Sequence, residues 1–447
     1  MRSSGSGSRR DPRLALAALV VLLLGVGSLF VAGAAQPGPG TAPEAGSRLD
    51  VGARSFSCTG GLPGTRGVAG TATGHGSVTV DGRLLARPTF PVPGPTRVVA
   101  DRGAAPGAFA VQSSRDPHWL AAAPCPEPRA LWWFVGAGAG GRHATVLTVT
   151  NPRPGSAVFD VDVVGPDGSV DAPGLHGLVL ASGASRTIDL ARMAPASGEL
   201  AVRVRATRGL VSAAAAERWA PALIGRQTRD WVASQPAPAQ RLDLVGLPPA
   251  DGATLLVANP GTREAVVGLQ VVSSRGTFRP TSHASVTVPP DTVAQVDLSQ
   301  VLDARSAAVR LTANVPVAAT VRSVRGSDEA YATAAQPLSG SSVVGVPGGI
   351  RDQLVLAAVG PAQQGRQTVS VTATGQGGRR LSTRRVELAG AAATRITLPR
   401  RTTAVTVEPG GADVVGAVVG TAGRGIAALP VEPAVTVQRR PGVLPGW

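Results

Sequence analysis

The chain of 447 residues contains no lysine, so all 43 of its basic residues are arginines. Without lysine the sequence cannot form a P-loop or a Ser-x-x-Lys catalytic site. A GC-rich coding bias explains the exclusive use of arginine better than a special role for guanidinium groups. The net charge of +15 is compatible with anionic partners, but the arginines are scattered, and colloidal solubility is the preferred interpretation.

Cysteine is almost absent too, with Cys58 and Cys125 as the only two examples. Both cysteines follow a long apolar segment at the N-terminus, which is described below. If the chain after this segment lies outside the membrane, the two cysteines are predicted to form one disulfide that closes a loop. A metal site is not favoured, because two thiols without a nearby histidine do not complete a tetrahedral shell. The sequence therefore predicts no metal and no cofactor. The five histidines have no metal-site spacing and are His75, His118, His143, His176 and His283.

Aromatic residues make up only 3% of the chain, and their densest run is Leu131–Val135. Trp132 and Trp133 lie in this run and are candidates for a ligand platform, since aromatic rings stack on sugars. Packing in a core is the preferred role, because a chain with few aromatic residues needs them for its cores. The following Gly136–Gly141 fits G-x-G-x-x-G, but a strand pattern follows where a helix is needed. A flexible connector is therefore predicted there.

Residues 14–35 form an apolar run of 22 residues without a charge, preceded by four arginines. The run is long enough to cross a bilayer, and the arginine bias places the N-terminus in the cytoplasm. We therefore predict a single-pass signal-anchor in the cytoplasmic membrane, with the bulk of the chain outside the cell. Cleavage after Ala34 is the alternative, because Ala32-Gly33-Ala34 fits a signal-peptidase site.

Valine and threonine between Gly/Pro breaks predict strands, and Asp81-Gly82 between two short strands predicts a hairpin. One pattern also occurs twice, 108 residues apart. It begins with a strand that ends in Asn-Pro, at Asn151 and Asn259, and later reaches Asp189 and Asp297. Two anchors with one offset indicate an internal repeat. A more degenerate third copy begins at Leu354.

Copies near 100 residues long with alternating strands predict a mostly β chain of tandem, immunoglobulin-like β-sandwich modules behind one transmembrane helix. Pro-rich segments at 233–239 and 336–349 are predicted linkers. The predicted organisation is a cytoplasmic N-terminus (1–13), the membrane anchor (14–35), a linker (36–50), an N-terminal β region with the disulfide (51–135), β-sandwich repeats (140–232, 246–333 and 350–431) and a disordered tail (432–447).

Polar residues that recur in the repeats are predicted to have structural roles. Asn151 and Asn259 suit strand-ending turns, and Asp189 and Asp297 suit turns or caps, because chemistry rarely needs one copy per repeat. Arginine pairs in the last copy, such as Arg384-Arg385, are interpreted as solvated charges on an edge strand. Phosphate or carboxylate binding by these pairs is the alternative.

The chain resembles an actinobacterial family of membrane-anchored or secreted proteins whose function is not established. The resemblance includes the N-terminal anchor, Cys125-Pro126, the aromatic run, the Asn-Pro strand ends, the Gly165–Gly168 turn and Asp230-Trp231. It implies a cell-envelope setting and supplies no catalytic residues.

No catalytic residue is predicted, and the expected function is a non-enzymatic binding or scaffolding role outside the cytoplasmic membrane. Expected partners are the membrane and either anionic envelope polymers or envelope proteins, without nucleic acid. The alternative is an enzyme or accessory factor of envelope polysaccharide assembly, with its site in the N-terminal β region.

Overall fold

The computed structural model describes residues 48–50, 52–72, 75–220, 227–235, 237–347, 351–359, 365–434 and 437–439. Within these ranges the chain is mostly β, as predicted. No helix in the described ranges is long and apolar enough to cross a membrane. The predicted cytoplasmic N-terminus and anchor, at 1–13 and 14–35, lie outside the described residues, as do most of the predicted linker and tail.

The described strands form two compact units. The first contains β1 (Arg48–Asp50), which pairs antiparallel with the last strand of the chain, β36 (Val437–Arg439). All other strands belong to the second unit, in which four successive segments each form a pair of sheets. These segments are called modules 1 to 4 below, with residues 54–124, 131–235, 239–333 and 342–430.

Module 1 has two four-stranded sheets, ordered β2-β7-β4-β5 and β6-β3-β8-β9. The two sheets enclose small apolar side chains and the disulfide cysteines. The predicted hairpin is confirmed, because Asp81 and Gly82 both have positive φ and connect paired strands, as a type I′ turn requires. Its strands are β2 (Arg54–Cys58), β3 (Arg66–Thr71), β4 (Val78–Val80), β5 (Arg83–Leu84), β6 (Thr89–Pro91), β7 (Thr96–Ala100), β8 (Ala108–Arg115) and β9 (Leu120–Pro124).

Module 2 has a sheet ordered β13-β12-β16-β10-β19, with β14 also on β12, and a second sheet ordered β15-β11-β17-β18. The alternating burial along β12 follows the two-residue period of a strand. Its elements are β10 (Leu131–Ala139), β11 (Val146–Thr150), β12 (Ala157–Gly165), β13 (Gly168–Val170), a 3₁₀ turn (Pro173–Leu175), β14 (Leu178–Leu180), β15 (Ser185–Asp189), α1 (Leu190–Met193), β16 (Ala196–Arg208), β17 (Ser212–Trp219), β18 (Thr228–Val232) and β19 (Ser234–Gln235).

Module 3 has one long strand, β26, that belongs to both of its sheets. The first part of β26 pairs with β20 and β22, and the part after Val317 pairs with β21 and β27. The strands are β20 (Ala239–Val245), β21 (Gly252–Asn259), β22 (Ala265–Ser273), β23 (Gly276–Phe278), β24 (Ser285–Val288), β25 (Thr292–Asp297), β26 (Ser306–Arg325) and β27 (Asp328–Thr333).

Module 4 has sheets ordered β28-β33-β30-β31 and β32-β29-β34-β35. Arg384 and Arg385 are exposed on β31, which is an edge strand, as the sequence predicts. Its elements are β28 (Ser342–Gly345), β29 (Arg351–Ala358), β30 (Gln367–Thr374), a 3₁₀ turn (Gln376–Gly378), β31 (Arg380–Leu388), β32 (Ala393–Thr397), β33 (Ala404–Glu408), β34 (Val414–Ala422) and β35 (Gly425–Pro430).

The strand order is the same in all four modules. In each module, the first strand pairs with the strand that comes just before the final hairpin. In module 1, β2 pairs with β7, and in module 4, β28 pairs with β33. The other sheet of each module ends in an edge strand that comes late in the module, at β9, β18, β27 and β35. Module 1 shares this order although its sequence does not align with the predicted repeats.

Several predicted boundaries differ from the structure. β19 lies inside the predicted linker 233–239, and β20 precedes the predicted start of the second repeat at 246. The N-terminal β region was predicted to end at 135, but β10 continues to Ala139 and pairs with β16 and β19, so it belongs to module 2. Gly136 and the residues up to Ala139 are therefore part of a strand, and the predicted flexible connector is wrong there. Similarly, β28 lies inside the predicted linker 336–349. The sequence did not reveal this strand, because four residues that begin with Ser and end with Gly show little alternation of apolar and polar side chains.

The recurring asparagines have equivalent surroundings. The Nδ2 atom of Asn151 donates to the carbonyls of Gly155, Leu180 and Ala181 at 2.8, 3.2 and 3.2 Å. The Nδ2 atom of Asn259 donates to the carbonyls of Arg263, Val288 and Pro289 at 2.8, 3.1 and 3.1 Å. Each amide therefore satisfies three backbone acceptors at a strand end.

The aspartates of the repeats have the predicted cap and turn roles. Asp189 accepts from the backbone N–H of Ala191 and begins α1. Asp297 accepts from both the backbone N–H and the hydroxyl of Ser299.

Candidate functional site

One late edge strand from each module, β9, β18, β27 and β35, contacts the next in a closed order: β9 with β18, β18 with β27, β27 with β35, and β35 with β9. We call them the inner strands. Each is an edge strand and so has backbone N–H groups without a partner in its own sheet. On β9 and β35, one such N–H group each donates to a side-chain carboxylate of a neighbouring module.

Asp328, at the start of β27, joins three modules. Its Oδ2 atom accepts from the backbone N–H of Leu120 in module 1 at 3.0 Å and of Ile426 in module 4 at 2.7 Å. Asp230 on β18 lies near the backbone N–H of Ala122 of β9, which lowers the pKa of this carboxyl group against the larger effect of burial. The inner strands are therefore connected through two buried aspartates.

Beside these aspartates, modules 2 and 3 meet at an ion pair. Arg322 of β26 donates to both carboxylate oxygens of Glu199 of β16, with N–O distances of 3.0 and 2.6 Å. The guanidinium carbon lies 3.9 Å from the centre of the Trp219 ring. The bidentate geometry and the cation–π contact fix the relative position of the two modules.

A second carboxylate of module 2 pairs with a histidine. The Nδ1 atom of His143 lies 2.9 Å from Oε1 of Glu217, and its Nε2 atom lies 3.7 Å from Oε1 of Glu199. The hydroxyl of Thr145 donates to the other oxygen of Glu217. The imidazole packs directly on Gly138, where an added Cβ atom would lie 2.1 Å from that of His143. A glycine is therefore required at this point of β10.

Glu329 and Tyr331 of β27 complete the set of polar residues. The hydroxyl of Tyr331 donates to Oε2 of Glu329 at 3.3 Å, while Oε1 of Glu329 and Oδ1 of Asp328 are buried without a hydrogen-bond partner. We call the whole set the central cluster. Its members are His143, Glu199, Glu217, Trp219, Asp230, Arg322, Asp328, Glu329 and Tyr331.

Burial dominates the electrostatics of the central cluster. It raises the pKa of Asp328 to about 7 and that of Glu329 to about 8, although Arg322 opposes the second shift. Burial also raises the pKa of Glu217 and, more strongly, of Asp230. For Arg322 burial lowers the pKa, but the nearby Tyr331 and Glu199 outweigh this effect and raise it.

The balance of charges also indicates that carboxyl groups of the central cluster are protonated. Five buried carboxyl groups share one guanidinium and one imidazole, so they cannot all be ionised at low energetic cost. Some of them therefore carry a proton near neutral pH. A His–Glu pair is chemically suited to general-base catalysis, but His143 and Glu217 line none of the clefts described here.

A cleft of about 320 Å³ lies between modules 1 and 4. Phe56 and Phe109 of module 1 face Val343 and Thr406 of module 4 across it, and Cys125 is part of its wall. The lining is mostly apolar, with Arg54 and Glu408 among the charged groups. Arg54 is bound to both oxygens of Glu127, at 2.8 and 3.1 Å, so its charge is neutralised by the segment between β9 and β10.

The predicted disulfide between Cys58 and Cys125 is present. It joins β2 to the segment after β9, and therefore connects the two sheets of module 1. Among the described side chains, no group of three or more His, Cys, Asp or Glu residues is arranged to hold a metal ion.

The predicted ligand platform of Trp132 and Trp133 is not supported. Their relative exposures are 1% and 3%, so neither ring is available to a ligand. Trp132 lies in the core of module 2, where its Nε1 donates to the Val211 carbonyl at 2.9 Å. Trp133 points to the opposite side and packs on Leu256 and Val293 of module 3. Successive strand residues alternate in direction, which separates the two rings.

The central cluster is not among the sites that the sequence predicts. A signal exists, because Glu217 follows four apolar alanines and Asp328-Glu329 precede Ala330-Tyr331-Ala332, with the only tyrosine of the chain. A charge on the buried side of a strand is unusual unless it is paired. The partners, however, lie in different modules and are distant in sequence.

Comparison with known proteins gives one family. A search of curated proteins finds no match. A family model described as a family of unknown function, DUF5719, matches residues 91–399, from β6 of module 1 to just beyond β32 of module 4. This match covers more than half of the chain and includes every residue of the central cluster, and the protein therefore belongs to the DUF5719 family.

Proposed function

We propose that this protein is a non-enzymatic binding or scaffolding component of a bacterial cell envelope. In this proposal residues 14–35 anchor it in the cytoplasmic membrane, and the modules lie outside the cell. The uncharged run of 22 residues after four arginines supports the anchor. The disulfide supports an oxidising exterior. The sequence resemblance adds an actinobacterial origin.

We further infer that the modules are tandem immunoglobulin-like β-sandwiches that act as one rigid body. The common strand order of the four modules supports a tandem origin. The hydrogen bonds that Asp328 accepts from modules 1 and 4, and those that Arg322 donates to module 2, support rigidity. A rigid body suits a scaffold because it holds its binding surfaces at fixed positions.

The cleft between modules 1 and 4 is the observation that carries the binding role. Its volume of about 320 Å³ and its mostly apolar wall suit an apolar part of an envelope component, such as an acyl chain. Exposed arginines on β31 provide contacts for anionic envelope polymers, and envelope proteins are the other class of partner. Nucleic acid is not expected outside the membrane.

Filling the cleft tests this role. Thr406→Trp places a large ring in the cleft, whereas Thr383→Trp makes the same change on exposed β31 of the same sheet. The purified full chain is titrated with 1-anilinonaphthalene-8-sulfonate and then with lipid from the envelope. We expect at least tenfold weaker binding of dye and lipid for Thr406→Trp, and no change for Thr383→Trp. Equal binding by the two variants would reject the cleft as the binding site.

The second candidate is an enzyme or accessory factor of envelope polysaccharide assembly with its site in module 1. The observation that favours it is that module 1 supplies much of the cleft wall, including Arg54 and Phe56. Turnover of envelope glycans by the purified chain, lost in a single cleft substitution, would support this function over a scaffold.

Protease digestion of the modules on intact cells tests the exterior location that both candidates share.

A further inference from the structure

We propose that the central cluster is a proton-operated latch, which holds the inner strands of the four modules together when Asp328 and Glu329 are protonated and releases them when both are ionised. Three features support the latch: the position of these two carboxyl groups, the lack of a hydrogen-bond donor to one oxygen of each, and the charges around them.

The first feature is the position of Asp328 and Glu329. Asp328 is 0% exposed and is the one side chain on β27 that hydrogen-bonds to both β9 and β35. Any change in its charge therefore acts directly on the contact of module 3 with modules 1 and 4. Glu329, the next residue, is also 0% exposed and points toward module 2.

The missing partners are the second argument. Oδ1 of Asp328 and Oε1 of Glu329 are buried and have no hydrogen-bond donor. An ionised carboxylate needs donors on both oxygens to offset its desolvation, whereas a protonated carboxyl group needs less. At Asp328 the two backbone donors both bind Oδ2, which remains an acceptor when Oδ1 holds a proton.

The surrounding charges are the third argument. From module 2 the two groups face Glu217 and Asp230. From module 3, Glu329 faces Arg322 and Tyr331, and Arg325 lies opposite Asp328 in the pairing of β26 with β27. From module 1 they face Asp116, which lies beside His118 and Arg229 around a small cleft. Within the central cluster, carboxyl groups outnumber cationic groups, and the guanidinium of Arg322 is already bound to Glu199.

The sign of the pH dependence follows. The pKa values of Asp328 and Glu329 in the closed state, about 7 and about 8, lie above the ordinary values of these groups. The closed state therefore binds more protons than an opened state at neutral pH. Stability of the latch is fully present below about pH 4, the ordinary pKa of a carboxyl group, and is lost as the pH rises through 7 and 8.

Hydrogen exchange of the inner strands on the full chain tests the latch, with protection factors corrected for the intrinsic effect of pH. In the wild type we expect protection of the β9 and β35 amides to fall at least tenfold between pH 6 and 9. In the double variant Asp328→Asn, Glu329→Gln, which keeps shape but cannot ionise, we expect protection to be independent of pH.

Asp352→Asn is the matched control. Burial also raises the pKa of Asp352 to about 7, but this residue lies on β29 and not on an inner strand. We expect the control to lose inner-strand protection with rising pH as the wild type does. If the double variant does not fold, Glu329→Gln alone is expected to weaken the dependence. Constant protection in the wild type, or wild-type behaviour of a folded double or single variant, would overturn the proposal.

Discussion

The contact between modules 2 and 3 and the contact between modules 1 and 4 are built in opposite ways. The first contains the buried pair of Arg322 and Glu199 and the carboxyl groups of the central cluster. The second is made of apolar side chains, among them Val68, Phe109 and Ala404, and it includes the open cleft. Polar groups impose exact distances, whereas apolar surfaces tolerate a gap. The same module topology thus serves both a fixed junction and a junction with room for a ligand.

The largest effect is expected from breaking the polar junction. Arg322→Met leaves Glu199 buried without a counter-charge and should lower the free energy of unfolding by about 3–5 kcal/mol. Urea unfolding followed by tryptophan fluorescence measures this loss. Adding Glu199→Gln removes the unpaired charge and should recover much of it. A single variant as stable as the wild type would show that the junction depends on its apolar part alone.

The disulfide next to the apolar cleft comes second. Its loop spans 67 residues, and replacing Cys58 and Cys125 with alanine should cost about 2–4 kcal/mol through the larger entropy of the unfolded chain. The measurement is the same urea midpoint, compared with the wild type under reducing conditions. We expect reduction to give a similar loss and to leave the double variant unchanged. A loss confined to the variant would point to packing instead.

A smaller loss is expected where modules 1 and 4 touch most closely. A Cβ atom at Gly345 would lie 2.6 Å from Cδ2 of Phe109 and 2.8 Å from Cγ2 of Val111. Gly345→Ala should therefore destabilise this junction by about 1–3 kcal/mol through overpacking. Gly365→Ala is the control, because the space around that residue is open. Equal midpoints for the two variants would contradict the tight approach.

The smallest effect concerns the two adjacent tryptophans. Trp133→Phe, at the apolar edge of the polar junction, loses no hydrogen bond, because its Nε1 is buried without a partner. Trp132→Phe loses the bond from Nε1 to the Val211 carbonyl, which keeps only the bond from the backbone N–H of Arg129 at 2.9 Å. We expect Trp132→Phe to cost about 1 kcal/mol more than Trp133→Phe in thermal or urea unfolding. The reverse order would be inconsistent with the hydrogen bonding described.

Local patterns explain which features of the fold the sequence predicts well. Alternation, Asn-Pro strand ends and the Asp81-Gly82 turn act over a few residues, so the strands, the turn and the equivalence of Asn151 and Asn259 follow from them. Two cysteines leave one intramolecular pairing. The first strand of a module is harder to recognise in the sequence. For example, β28 has only four residues, and its place in the sheet depends on pairing with β33.

The mostly β character, the disulfide and the recurring turn residues were thus determined by the sequence itself, because they depend on short-range periodicity and composition. The fourth copy of the topology in module 1 and the central cluster were decided only by the tertiary structure. His143, Glu217, Arg322 and Asp328 come from two modules and meet through backbone positions far apart in the chain. Burial then sets their pKa values, and burial is a property of the assembled modules that no single segment contains.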